Sequence, residues 1–155
     1  MCFLHLNYSV DLQIYLNWWF ELNNCMAQNL NQIAIIVRDY DEAISYYTSK
    51  LGFLLIEDTR INESKRWVVI RPNGESSCNI LLARAANEEQ ISRIGNQTGG
   101  RVFLFLYTDD INKDYQNLLE NEVTIIRQLE EQPHGWVCVF QDIYGNLWDL
   151  IERKS

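Results

Sequence analysis

Apolar and polar residues follow one another along this chain in an order that predicts a strand, a helix and three further strands. The apolar run at 32–37 predicts a strand that is buried on both faces. Asp39 is a suitable N-cap for the helix that follows, and Gly52 is the kind of residue that ends helices in the left-handed conformation. The strands predicted next are 53–59, 66–71 and 78–83.

The same order recurs in the second half of the chain. The apolar run at 101–107 again predicts a strand buried on both sides, and Thr108 or Asp109 can cap the helix after it. Pro133 has no backbone N–H to donate, so we predict a loop at 129–135. The other strands predicted in this half are 123–128, 136–141 and 147–152.

Two βαβββ units predict an α+β fold, because an internal repeat fixes architecture and each unit can bury a sheet face that the other leaves open. We expect a single domain at 26–155, with module one at about 32–84 and module two at about 101–152. A short linker helix at 87–95 is predicted to connect the modules.

The first 25 residues differ from the rest, because they carry only two charged side chains and a dense aromatic cluster. The segment lacks the basic start and the uninterrupted apolar centre of a signal peptide. Polar residues interrupt it too often for a transmembrane helix, namely Asp11, Gln13, Asn17 and Glu21. A helix from Ser9 would place five apolar side chains on one face, which could dock on the domain or on a partner. These are Leu12, Tyr15, Leu16, Trp19 and Leu22. The alternative is that the native protein begins at Met26 and that the upstream stretch is not native.

Composition narrows the range of partners. The chain of 155 residues has a formal net charge of −8, and an acidic surface argues against nucleic acid and anionic membranes. No C-x-x-C pair occurs and there are two histidines, which argues against a zinc-finger site. Of the four cysteines, Cys78 and Cys138 lie in predicted strands and are expected to be buried. We expect a cytoplasmic protein with reduced thiols.

Several of these segments resemble the glyoxalase/bleomycin-resistance/extradiol-dioxygenase superfamily, also called the vicinal oxygen chelate proteins. The resemblance rests on VRDYDEAI at 37–44, on Tyr46-Tyr47, on LGF at 51–53 and on FQDIYGNLWDLIE at 140–152. It covers residues 32–152. It implies paired βαβββ modules in a half-open barrel around one cavity, often as a homodimer, and it does not specify the reaction.

The resemblance also implies where a metal would be held in members that use one. One ligand is His or Gln on the first strand of a module, and the other is a carboxylate on its last strand. Gln32 and Asp149 occupy two of these positions. The other two are missing, because 78–83 has no carboxylate and 101–107 has no His or Gln. Two donors cannot hold a catalytic ion firmly, so we expect no cofactor and disfavour glyoxalase I and extradiol dioxygenase activity; a divalent metal is the less favoured alternative.

Asp149 is the main candidate for chemistry. Alternation with Leu147 and Ile151 places it on the cavity face, where a carboxylate should have a raised pKa or a basic partner. The partners considered are Arg101, Arg66 and Lys65. The role is a structural salt bridge, a group that binds the ligand or transfers a proton, or a metal ligand.

Two further polar residues have alternative roles. Gln32 either orients a ligand or bonds the backbone at the start of its strand. His134, between Pro133 and Gly135, is either solvated or a proton-transfer group at the cavity mouth.

Three functions fit these residues. The first is metal-independent binding of a small molecule, of the bleomycin-resistance type, with Gln32, Trp67, Phe103 and Asp149 as ligand-binding residues. The second is an enzyme acting on a small carbonyl compound through Asp149, with His134 as a second catalytic candidate and Gln32 orienting the substrate. The third is an interaction module whose cavity is filled by Phe103, Leu104 and Phe105.

Overall fold

The computed structural model describes residues 30–74 and 78–154, so the helix predicted near the N-terminus lies outside the described residues. Within these ranges the chain forms eight strands and three helices. They are β1 (Gln32–Val37), α1 (Tyr40–Ser49), β2 (Leu54–Arg60), β3 (Arg66–Arg71), β4 (Asn79–Arg84), α2 (Glu88–Arg93), β5 (Val102–Tyr107), α3 (Ile111–Glu120), β6 (Thr124–Gln132), β7 (Gly135–Gln141) and β8 (Leu147–Arg153). No helix of the described part is long and apolar enough to cross a membrane.

The strands form two four-stranded sheets of identical topology. Sheet 1 has the order β1-β4-β3-β2 and sheet 2 has the order β5-β8-β7-β6. In each sheet the first strand is parallel to its neighbour and the other pairs are antiparallel. Neither sheet closes on itself. The predicted repeat and the α+β fold with half-open sheets are therefore confirmed.

Local signals at the helix ends agree with most of the sequence analysis. The Asp39 carboxylate accepts hydrogen bonds from the backbone N–H groups of Asp41 (2.9 Å) and Glu42 (3.0 Å), as an N-cap should. The cap of α3 is Asp110, so the prediction of Thr108 or Asp109 is wrong. Thr108 Oγ1 instead accepts a hydrogen bond from the backbone N–H of Asp110 at 3.0 Å. Thr108 therefore orients the cap residue from two positions earlier in the chain.

The two sheets share one core, into which each turns the face that carries its helix. Phe140 and Trp148 of sheet 2 stack with ring centroids 5.8 Å apart. Tyr47 of α1 lies 6.2 Å from Trp148, and Phe53 lies 5.9 Å from it. Such aromatic contacts add to the stabilisation from burial, so both helix faces are held together and the opposite faces point away.

We call these opposite faces the open faces, and strand alternation assigns their residues. The open face of sheet 1 carries Gln32, Ala34, Trp67, Val69, Arg71, Asn79 and Leu81. The open face of sheet 2 carries Phe105, Tyr107, Val137, Val139, Asp149 and Ile151.

The prediction that β1 and β5 are buried on both sides is wrong. Both are edge strands. The open face of sheet 2 is shielded at its centre, where Val139 is 6% and Ile151 is 5% exposed, but not along β5. Phe105 is 58% exposed and Tyr107 is 52% exposed. The backbone edge of β1 is occupied by a side chain: Gln97 Oε1 accepts from the N–H of Ile36 at 2.6 Å, and Gln97 Nε2 donates to the carbonyl of Ala34 at 3.2 Å.

Two other local predictions are wrong. The predicted loop at 129–135 is largely strand, because β6 continues to Gln132 and Pro133 lies in the turn, where no ladder N–H is needed. Cys78 precedes β4 and is exposed, whereas Cys138 is buried in β7 as predicted.

Candidate functional site

A groove of about 870 Å³ lies between the start of sheet 1 and the β5–α3 side of sheet 2. Its floor is apolar and includes Leu104, Phe140 and Trp148, and its rim includes the polar Lys113 and Asp114. This volume and mixture of surfaces suit a drug-sized molecule. Phe105 and Tyr107 form part of the groove wall and also belong to the open face of sheet 2.

Two of the sequence-predicted ligand-binding residues share the open face of sheet 1. Gln32 pairs with Asn79 across β1 and β4. Trp67 lies on β3 and is 37% exposed. Phe103, on β5, packs against the core at a register irregularity between Val102 and Leu104.

Asp149 lies in the middle of the open face of sheet 2, between Phe105 on β5 and Val139 on β7. Its side chain is 15% exposed, and burial raises the pKa of the carboxyl, while the nearby charges of Arg127 and His134 oppose that rise. The Arg127 guanidinium is 4.0 Å from Oδ1, and among the described residues Oδ1 has no hydrogen-bond partner. The carboxyl is therefore suited to exchanging a proton with a bound molecule.

The basic partner of Asp149 is thus Arg127, and the predicted partners are wrong. Arg66 instead binds Asp41 at 2.7 Å and also Asp58, on the helix side of sheet 1. The strand pattern showed that Asp149 faces the open side of its sheet. It did not show which basic side chain lies near Asp149, because Arg127 is two strands away on β6, where the register with β7 is irregular. His134 is exposed in the turn before β7.

The two donors expected from the family resemblance lie on different sheets. Gln32 lies on the open face of sheet 1 and Asp149 on that of sheet 2. In the ranges that the structure describes, no three His, Cys, Asp or Glu side chains converge. The cationic Arg127 lies beside the carboxylate. This donor set does not fit a resident metal ion.

The turn between β7 and β8 contains a buried carboxylate that the sequence analysis included only in the segment 140–152, which carries the family resemblance. Asp142 is 5% exposed and accepts six hydrogen bonds. Three come to Oδ1 from the backbone N–H groups of residues 144–146, at 2.9 to 3.0 Å. Three come to Oδ2, from the Tyr47 hydroxyl (2.7 Å), Asn146 Nδ2 (2.9 Å) and Trp148 Nε1 (3.2 Å). The carboxylate therefore joins α1 to sheet 2.

Burial raises the pKa of the Tyr47 hydroxyl well above its usual value, and the charge of Asp142 raises it further. Tyr47 is thus fixed as a hydrogen-bond donor. The spacing Asp142, Asn146, Trp148 was the available sequence signal for this network, since all three carry complementary polar groups.

Comparison with known proteins identifies the family. The family model for the glyoxalase/bleomycin resistance protein/dioxygenase superfamily matches residues 29–150. An uncharacterized protein of Shewanella frigidimarina is 52% identical over 131 residues, which cover 84% of this chain and 97% of the relative.

Two solved structures have similar folds. A member of this superfamily from Sphaerobacter thermophilus is 28% identical with a TM-score of 0.69, covering 83% of this chain and 99% of the other. TnmS3, an antibiotic binding protein from Streptomyces sp. CB03234, is 22% identical with a TM-score of 0.67, covering 84% and 100%. The chain belongs to the glyoxalase/bleomycin resistance protein/dioxygenase superfamily.

Proposed function

We propose that the chain is a small-molecule-binding protein of the bleomycin-resistance type, which holds a flat, apolar ligand without a metal ion. The observation that carries this proposal is the exposure of aromatic side chains on the open faces, namely Trp67, Phe105 and Tyr107. Aromatic surface of this kind is suited to stacking on a ligand or contacting a partner. The description of TnmS3 as an antibiotic binding protein supports the same class of function.

We further propose that a second copy of the chain completes the site. Gln32 and Asp149 lie on the open faces of different sheets, and each of these faces exposes aromatic side chains, Trp67 on sheet 1 and Phe105 and Tyr107 on sheet 2. A homodimer in which sheet 1 of one copy faces sheet 2 of its partner would bring these residues to one enclosed space. We also propose a cytoplasmic location, which is supported by the lack of a disulfide at Cys78 and Cys138 among the described residues.

Trp67→Ala is expected to weaken ligand binding about tenfold, because one aromatic contact is worth about 1.4 kcal/mol. Calorimetric titration with bleomycin and a panel of flat aromatic antibiotics measures this. Trp136→Ala is the matched control, since Trp136 is 40% exposed but lies on the helix side of sheet 2 with Cys138. Light scattering on the same samples should give twice the chain mass of 18.3 kDa. A monomer that binds none of these compounds would contradict the proposal, as would equal losses in the two variants.

A second candidate function is catalysis on a small carbonyl compound, with Asp149 transferring a proton and Gln32 orienting the substrate. The observation that favours it is the shielded carboxyl of Asp149, whose pKa burial raises. His134 would assist at the edge of the site.

Asp149→Asn is expected to abolish any turnover of small carbonyl compounds while leaving apolar binding within about twofold. It should also change the pH dependence of stability. Because the folded protein binds the Asp149 proton more tightly than the unfolded chain does, this group favours folding most below its unfolded pKa and progressively less as pH rises through its folded pKa. The variant should therefore be at least as stable as the wild type at pH 7, with a flatter profile by thermal denaturation between pH 3 and 8. Unchanged turnover in the variant would rule out the catalytic role.

A further inference from the structure

A row of polar side chains crosses three neighbouring strands on the open face of sheet 1. Gln32 of β1 pairs with Asn79 of β4. Ile80 of β4 pairs with Ile70 of β3, and one step further along this antiparallel register Asn79 faces Arg71. Alternation places all three polar side chains opposite the core residues Ile70 and Ile80.

Two atoms of this row are shielded from water and lack partners. Among the described residues, neither Arg71 Nε nor Asn79 Oδ1 makes a hydrogen bond. In the same part of the chain no carboxylate lies within 4.0 Å of the Arg71 side chain, whereas Arg66 on the same strand holds two. A shielded donor and a shielded acceptor without partners are costly, and a bound molecule could supply both.

The side chains between this row and Trp67 are apolar. Val69 and Leu81 pair across β3 and β4 on the same face. Residues 67, 69 and 71 follow one another at two-residue steps along one strand, so Trp67 and Arg71 are about 14 Å apart. The face therefore presents an aromatic platform at one end, an apolar middle and a guanidinium at the other end.

Building on the proposed function, we propose that the open face of sheet 1 selects ligands that carry an oxyanion, a carboxylate or a sulfonate, at one end of a flat apolar body. The planar guanidinium of Arg71 would bind two oxygens of that group in a fork, which is the geometry in which arginine binds such anions best. Asn79 would accept a hydrogen bond from a donor next to the anion. The apolar body would lie against Leu81 and Trp67, above Val69, which is 3% exposed.

Two dyes that share one ring skeleton test this selection. 8-Anilino-1-naphthalenesulfonate carries a sulfonate, and N-phenyl-1-naphthylamine is the same molecule without it. Fluorescence titration of the full-length protein should show tighter binding of the sulfonate dye. Arg71→Gln should weaken its binding at least tenfold and change that of the neutral dye by less than twofold. Arg71→Lys should lie between, because lysine keeps the charge and loses the fork. Arg93→Gln, an exposed position on α2, is the control and should change neither.

The possible outcomes separate this inference from the proposed function. If the neutral dye binds and the sulfonate dye shows no dependence on Arg71, only the inference is overturned. If Arg71→Gln weakens both dyes equally while the melting temperature is unchanged, the arginine provides only packing and the inference is again overturned. If neither dye binds the wild-type protein, the proposed function falls with it.

Discussion

Asp142→Ala is expected to lower the free energy of unfolding by about 3–5 kcal/mol, because it leaves several buried donors without their acceptor. The Tyr47 hydroxyl, Asn146 Nδ2 and Trp148 Nε1 all donate to Oδ2 in the folded protein, and none of these groups can move to water without opening the core around Trp148. The loss is a large part of the total stability of an ordinary domain, which is about 5–15 kcal/mol.

Urea denaturation monitored by tryptophan fluorescence measures this loss. Asp109→Ala is the matched control, since Asp109 is exposed and no hydrogen bond or ion pair joins it to the other described residues. If Asp142→Ala does not fold, Asp142→Asn gives a measurable intermediate, because an amide keeps the shape but offers one acceptor oxygen instead of two. A loss below about 1 kcal/mol in the alanine variant would show that the network does not stabilise the contact between α1 and sheet 2.

Gly95→Ala is expected to lower the free energy of unfolding by at least about 2 kcal/mol. Gly95 ends the segment after α2 with a φ of +73°, and a Cβ there would lie 1.8 Å from the carbonyl oxygen of Tyr144. Because the obstacle is backbone, the turn that contains Asp142 would have to move. The substitution therefore adds a steric displacement to the conformational cost of a left-handed residue.

Gly99→Ala separates these two costs. Its φ is +67°, similar to that of Gly95, but a Cβ at Gly99 would have nothing within 4 Å. Only the left-handed conformation is then unfavourable, at about 1 kcal/mol. Thermal and urea denaturation of the two variants should show the larger loss for Gly95→Ala. Equal losses would mean that the close approach to Tyr144 is relieved without cost.

The sequence predicted the repeat and the element types because both follow from local periodicity and from capping and turn residues. It misplaced the cap of α3, since Thr108, Asp109 and Asp110 are all capable caps. The sequence could not show that β1 and β5 are edge strands with exposed residues on the open faces. An apolar side chain has the same pattern whether its own chain or another molecule covers it.

The site was predictable to the level of the strand face and no further. Alternation predicted the strand face on which Asp149 lies, and the register of β8 places that face opposite the core. Gln32 was identified only from the family resemblance. The pairing of Asp149 with Arg127 depends on the irregular register between β6 and β7. The unpartnered atoms of Arg71 and Asn79 depend on the approach of β3 to β4. Neither relation is encoded in local spacing.

The amide of Gln97 has a consequence for how copies of this protein can associate. An exposed strand edge is a template on which further strands can add without limit, which leads to fibrous aggregates. Gln97 occupies the donor of Ile36 and the acceptor of Ala34, so a strand from outside would have to displace it before it could add to β1. Open-ended strand addition at the β1 edge is thereby disfavoured, so the proposed closed pair of copies would form through the faces of the sheets rather than through this edge.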